Sequence, residues 1–202
     1  MTTRLMTPRR ALTLAATLLV AVSLQPRAWA GEPAEQLFAG IDRVLQVLDD
    51  PAMKPEAKAA ERRAAIRRIA SDIFDIEEIS RRTLGRHWQA LTAAERAEFV
   101  QAFGDLLRRS YFMKIDGQSV EKIALVGEAI DDDQATVRTT IKTRKGTEIP
   151  VDYHMVRSGE RWLAYDVAIG GVSLVANYRS QFERIIQRTS YQQLVKQVRE
   201  KQ

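Results

Sequence analysis

The chain has 202 residues, with 31 Lys and Arg against 26 Asp and Glu, two His and no Cys, which excludes disulfide staples, cysteine-ligated metal sites and a cysteine nucleophile. The net charge of +5 is concentrated at one end: Arg4, Arg9, Arg10 and Arg27 lie in the first thirty residues with no acid beside them, which leaves 31 − 4 = 27 basic against 26 acidic residues over the remainder. A remainder near neutrality argues against a nucleic-acid binder, which needs a basic face to release phosphate counterions.

In chain order, Arg4, Arg9 and Arg10 precede an apolar stretch from Ala11 to Leu24, and Ala28-Trp29-Ala30 closes it in the A-x-A form of a cleavage site. Residues 1–30 are therefore expected to be a cleaved signal peptide and the mature chain to be exported. The apolar stretch falls short of the roughly 20 residues that span a bilayer. No cysteine follows it to carry a lipid anchor. The remainder, about 172 residues from Gly31, suits one domain whose stability comes from core burial.

From Glu32 to about Asp116 the apolar period is helical. Leu37, Ile41, Val44, Leu45 and Leu48 recur at three- and four-residue steps, and Pro51 and Pro55 bound the connection to the next helix, Pro55 to Ile73. Within that helix Arg62-Arg63 and Arg67-Arg68 sit among Glu56, Glu61 and Asp72, the pattern of a solvated face. A short helix follows through Ile76, Ile79 and Leu84, with Gly85 as its C-terminal cap. Thr92 with Glu95 forms a capping box for a helix whose stripe, Phe99, Phe103, Leu106, Leu107 and Tyr111, is rich in aromatics.

From Ser119 the period falls to two. Four strands are predicted: one through Ile123, Leu125 and Val126, one through Val137, Thr139 and Ile141, one through Ile149, Val151, Tyr153 and Met155, and one from Trp162 to Ile169. Polar turns at Asp131-Asp132-Asp133, Lys145-Gly146 and Ser158-Gly159 join them as an antiparallel meander. Two helices close the chain, Ser173 to about Arg188 and Tyr191 to about Lys201. The expected fold is α+β: a mainly helical part, 31–116, then a four-stranded twisted sheet and terminal helices, 117–202, with an apolar cavity between sheet and helices.

Chemistry is scarce along this pattern. His87 and His154 have no nucleophile motif near them, and no GxSxG elbow is present. Asp131-Asp132-Asp133 lacks the Gly and Glu positions of a calcium loop and stands where a hairpin turn is wanted. Gly170-Gly171 has no phosphate-loop context. One enzyme class fits the residue types, a cone-shaped-cavity isomerase with an oxyanion-stabilising phenol (Tyr153, Tyr165 or Tyr178) and a proton-moving carboxylate (Asp166), although their spacing carries no specific signal. What the sequence offers in quantity is large apolar side chains on helices and strands that can converge.

Two blocks, "FDIEEISRRTLGRHW" from Phe74 and "YDVAIGGVSLVANYRSQF" from Tyr165, resemble the toluene-tolerance family, the periplasmic phospholipid-binding proteins of the Mla lipid-transport system. The similarity extends from about Leu37 to Val198. It implies a non-enzymatic periplasmic carrier, without cofactor or metal, that holds acyl chains in an apolar cavity and moves phospholipid between an outer-membrane lipoprotein complex and an inner-membrane ABC transporter. A branch of the family is associated with hopanoid synthesis genes, which makes a hopanoid or another polycyclic lipid the alternative ligand. A ligand-free periplasmic scaffold is the reading from a different class. Predicted inward faces and family blocks together nominate Phe74, Ile76, Leu84, Trp88, Phe103, Leu107, Tyr111, Val151, Tyr153, Val167, Val172, Leu174 and Tyr178 as lipid-binding. Gly170-Gly171 is expected to turn the chain where a Cβ would clash, Ser173 to cap the helix after it, and Arg179 to pair with Asp166.

Overall fold

The computed structural model describes residues 31–112, 120–143 and 145–200; the expected signal peptide, the expected boundary at 116/117 and the expected end of the last helix at Lys201 lie outside them. Among the described residues six α-helices and five strands follow one another as α1 (Glu32–Asp49), α2 (Ala59–Ile73), α3 (Ile76–Leu84), α4 (Ala93–Leu107), β1 (Val120–Asp131), β2 (Gln134–Thr143), β3 (Glu148–Ser158), β4 (Arg161–Ile169), β5 (Val172–Ser173), α5 (Leu174–Arg188) and α6 (Tyr191–Glu200).

Several helices begin where an acceptor outside the helix satisfies the free N–H groups of the first turn. The Glu128 carboxylate, on β1, accepts from the N–H groups of Gly31 (2.6 Å) and Ala34 (2.8 Å), so the sheet itself caps α1. Asp75 caps α3 through the N–H of Glu78 (2.9 Å), and Gly85 ends it with φ of 55°. Thr92 and Glu95 cap α4 reciprocally, as the sequence predicts. Beyond Leu107 the chain widens into a π-type turn, Arg108–Phe112, instead of a fifth helical turn. Gly40 lets α1 and α2 approach: a Cβ there would lie 2.5 Å from Ile73 Cγ1, a distance that real contacts do not reach.

The sheet is an antiparallel meander in the order β1-β2-β3-β4-β5. It has five strands where four are predicted, because Val172 and Ser173 turn back to pair with Ile169 and Ala168. A two-residue strand is too short to show a period of its own. The first hairpin turns at Asp132, which adopts a φ of 50° that aspartate tolerates.

Register explains which residues face inward. Ala135, Val137 and Thr139 stand opposite Met155, Tyr153 and Val151 on one face of the sheet. On β4 a bulge interrupts the pairing: Ala164 opposes Met155, yet Asp166 opposes His154 and Val167 opposes Tyr153. Tyr165 is the extra residue, so the inward parity of β4 changes from Trp162 and Ala164 to Val167 and Ile169. Behind this face lie two separate cores. One joins α1 and Ile73 to the sheet through Ala34, Leu37, Val137, Met155 and Trp162. The other is helical and gathers Phe99, Phe103, Leu106, Phe182, Leu194 and Val198. Phe74, at the joint between α2 and α3, packs against both, and the chain is pinned there by the N–H of Asp75 donating to the carbonyl of Ala164 (3.0 Å).

Candidate functional site

A pocket of about 370 Å³ opens at the seam between the two cores. Its sheet wall is Ile141, Thr143, Ile149, Val151, Tyr153, Val167 and Ile169; its helix wall is Phe74, Ile76, Ile79 and Thr83, then Phe103, Leu107 and Tyr111, then Leu174, Val175 and Tyr178, with Asp166 at the corner. Aromatic packing fixes the helix side. Phe103 meets the Tyr178 ring edge-on with centroids 5.1 Å apart and the Phe182 ring at 5.2 Å, and Phe99 stacks against Phe103 at 5.4 Å. Such pairs hold α4 and α5 together beyond the burial of their area.

The non-aromatic polar groups on the wall are already engaged. Thr83 Oγ1 donates to the carbonyl of Ile79 (2.6 Å) and Thr143 Oγ1 accepts from the N–H of Thr147 (3.2 Å). Asp166 accepts from the N–H groups of Val167 (2.8 Å) and Val175 (3.0 Å) and from Ser173 Oγ (2.5 Å). Three donors on one carboxylate, two of them beside the first turn of α5, make Asp166 the tie between β4 and that helix. Burial pushes the Tyr153 phenol up to about 12. Burial first, and the neighbouring Tyr178 hydroxyl second, push Tyr111 up to about 12 as well. Both rings therefore stay neutral at physiological pH and present aromatic surface to the pocket.

Ten of the thirteen nominated residues stand at this wall: Phe74, Ile76, Phe103, Leu107, Tyr111, Val151, Tyr153, Val167, Leu174 and Tyr178. Three do not. Leu84 and Trp88 are buried in the helical core, where the Arg96 guanidinium covers the indole at 5.3 Å. Val172 is 59% exposed on the outer strand β5. The lining also includes Ile79, Thr83, Ile141, Thr143, Ile149, Asp166, Ile169 and Val175, which were not nominated. For Ile141 and Ile149 the signal was present, since they continue the alternation that selects Val151 and Tyr153.

The corner after β4 differs from expectation in two respects. Gly170 and Gly171 have φ of 58° and 81°, but a Cβ at either would meet nothing within 4 Å. Glycine is needed there for its backbone conformation, not for space. Arg179 does not pair with Asp166; its Nε donates to the carbonyl of Arg82 (2.7 Å) and ties α5 to the end of α3. Ser173 does cap α5, accepting from the N–H of Ala176 (3.0 Å). The two histidines lie outside the pocket wall: His87 meets Glu183 (2.7 Å) and His154 meets Thr136 (3.2 Å). Among the described residues no cluster of His, Asp and Glu is arranged to hold a metal, and no helix is long and apolar enough to cross a membrane.

Comparison with known proteins supplies the remaining evidence. The MlaC protein family model matches residues 39–200. A 118-residue stretch is 25% identical to the intermembrane phospholipid transport system binding protein MlaC of Haemophilus influenzae, covering 56% of this chain and 55% of that protein. The chain thus spans about half the length of the curated relative it matches. Its fold is similar to that of a phospholipid-binding protein from Ralstonia solanacearum, solved in complex with a phospholipid, with a TM-score of 0.72 at 24% identity over 83% of this chain and 94% of that one.

Proposed function

The chain belongs to the MlaC family, and from that membership and the apolar pocket we propose that it is a periplasmic phospholipid carrier. It takes acyl chains between sheet and helices and passes lipid between an outer-membrane lipoprotein complex and an inner-membrane ABC transporter. The ligand class comes from the relatives: the Haemophilus protein is named for phospholipid transport, and the Ralstonia protein holds a phospholipid. The observation that carries the reading is the pocket wall, where aliphatic and aromatic surface dominates and Thr83, Thr143 and Asp166 spend their hydrogen bonds inside the protein. An apolar wall of this kind, with a volume near the lower end of the roughly 300–1,000 Å³ range of ligand pockets, suits lipid tails.

The physical task is to remove a solvation barrier. Each methylene bared to water costs about 0.8 kcal/mol, so a chain of about fifteen carbons costs on the order of 12 kcal/mol. Replacing bilayer with an apolar wall removes most of that cost. Because the tail is about as well solvated in the pocket as in a membrane, uptake and release are close to balanced, and direction is set by the partner complexes. No bond is made or broken. The test is transfer of a fluorescent phospholipid between two vesicle populations. The carrier reading requires transfer that rises in proportion to protein concentration; a rate equal to the protein-free control would contradict it.

A further inference from the structure

At the end of α4 the fold gathers positive charge that the pocket does not use. Arg108 follows Leu107 of the pocket wall, and the point where a Cβ would sit at Gly104 is 3.1 Å from Ile76 Cγ2 and 3.4 Å from Arg108 Nη1. The Arg108 guanidinium therefore lies close to Ile76 of the pocket wall. Arg67, Arg68 and Arg108, with Ala64 and Ser71, line an open groove there. Arg109 is next in the chain, and its Nε and Nη2 are buried with no hydrogen-bond acceptor among the described residues. Asp105, bonded to Arg108, is the one acid paired with the trio Arg67, Arg108 and Arg109 among the described ion pairs. Burial first, then Arg67 and Arg109, lower the pKa of Arg108, so that Arg67 and Arg109 each lie within electrostatic reach of Arg108.

Arginine at a helix C-terminus ordinarily bonds the last carbonyls and complements the helix dipole. Arg109 does not, since its buried nitrogens are left without a carbonyl. Desolvating a guanidinium without a partner is destabilising, and the neighbouring Arg108 adds repulsion. Such an arrangement is relieved by an anion with several acceptor oxygens, for which the planar guanidinium fork is suited.

We infer that Arg67, Arg108 and Arg109 form a phosphate-binding site beside the pocket. On the lipid reading above, on which this assignment of source rests, the phosphate is the headgroup diester of the lipid whose tails fill the pocket. The alternative source of the same chemistry is free phosphate. The arginine run on α2, which looks in sequence like a solvated helix face, thereby acquires a ligand.

The test uses the full-length chain, purified and stripped of lipid. Affinity is measured for a fluorescently tailed phosphatidylglycerol, for a diacylglycerol with the same tails, and calorimetrically for inorganic phosphate, in the wild type, in R109M and in the double variant R67Q/R109Q. Charge-assisted hydrogen bonds of this kind are worth about 10- to 100-fold in affinity. The wild type should prefer the phosphatidyl lipid by about that factor, and R67Q/R109Q should bind both lipids alike with its diacylglycerol affinity unchanged. Lipid-free R109M should melt no lower than the wild type, because it removes an unpartnered buried charge. Equal loss of both lipids in the variants, an unchanged preference, or a lower melting temperature for R109M would each overturn the site and make the arginines structural. If the wild type binds neither lipid, the carrier reading fails on its own, and the phosphate titration decides. Heat of binding that disappears in R67Q/R109Q then supports a free-phosphate site, and no heat in the wild type refutes it.

Discussion

Val167→Phe should separate a pocket from a core, because the two respond with opposite signs. Val167 stands opposite Tyr153 on the sheet wall, half-buried, with open pocket in front of it. The substitution adds four carbons, which enter space otherwise available to a lipid tail. At about 0.8 kcal/mol for each displaced methylene, lipid binding weakens by about 3 kcal/mol, or roughly 100-fold. The lipid-free protein should gain, since filling a void typically adds about 0.5–2 kcal/mol and a chain of this size gains about 2–4 °C in melting temperature per kcal/mol. Phospholipid phosphorus per mole of purified protein gives the first quantity, and thermal unfolding of the delipidated protein gives the second. A lower melting temperature with unchanged lipid content would show that the site is tightly packed core, where added carbons cost about 1–3 kcal/mol, and would refute the placement of the pocket.

Three further outcomes follow from the same geometry. Asp166→Ala leaves the N–H groups of Val167 and Val175 and the Ser173 hydroxyl without their shared acceptor; it should cost about 3 kcal/mol in urea unfolding, and a cost below about 1 kcal/mol would mean that the carboxylate does not anchor α5. Arg81, and after it Arg82, hold the Glu78 carboxyl below its ordinary value of 4.5 despite partial burial. With the folded pKa the lower one, this contribution is complete above the unfolded value and is lost as pH falls through the folded value. Stability of Glu78→Gln should therefore decline less steeply than that of the wild type below about pH 4.5, and identical acid limbs would show the ion pair to be inert. Tyr111, Tyr153 and Tyr191 are each pushed up to about 12, chiefly by burial. Spectrophotometric titration should show these three of the five tyrosines ionising late, with stability lost as pH rises from about 10 towards 12 because the neutral phenols are favoured in the fold. Five tyrosines titrating together near 10 would contradict their burial.

Much of this architecture could be read from residue order because local rules agreed with the fold. The Thr92–Glu95 box, the glycine at the end of α3 and the polar turns between strands are each satisfied within a few residues, so their signals are local. The pocket depends on longer-range relations. Ile141 and Ile149 join Val151 and Tyr153 only through the register of β2 on β3, and Val167 shares their face only because Tyr165 bulges out of β4. Leu84 and Trp88 are as apolar as the residues that line the pocket, and nothing in hydrophobicity distinguishes a side chain that fills a core from one that borders a void. Val172 was misplaced for a related reason: two residues of β5 give no alternation from which a facing can be read. Arg109, at the end of α4, is unreadable in a third way, because the lack of a hydrogen-bond partner is a property of the folded surroundings.

The central claim is most directly tested by native mass spectrometry of the purified protein, followed by organic extraction and identification of whatever is released. The expected result is a bound species whose mass and extract are those of a phospholipid. A polycyclic, hopanoid-like lipid in the extract would reassign the ligand, and a protein that is empty as purified and remains so after incubation with phospholipid vesicles would contradict the carrier account.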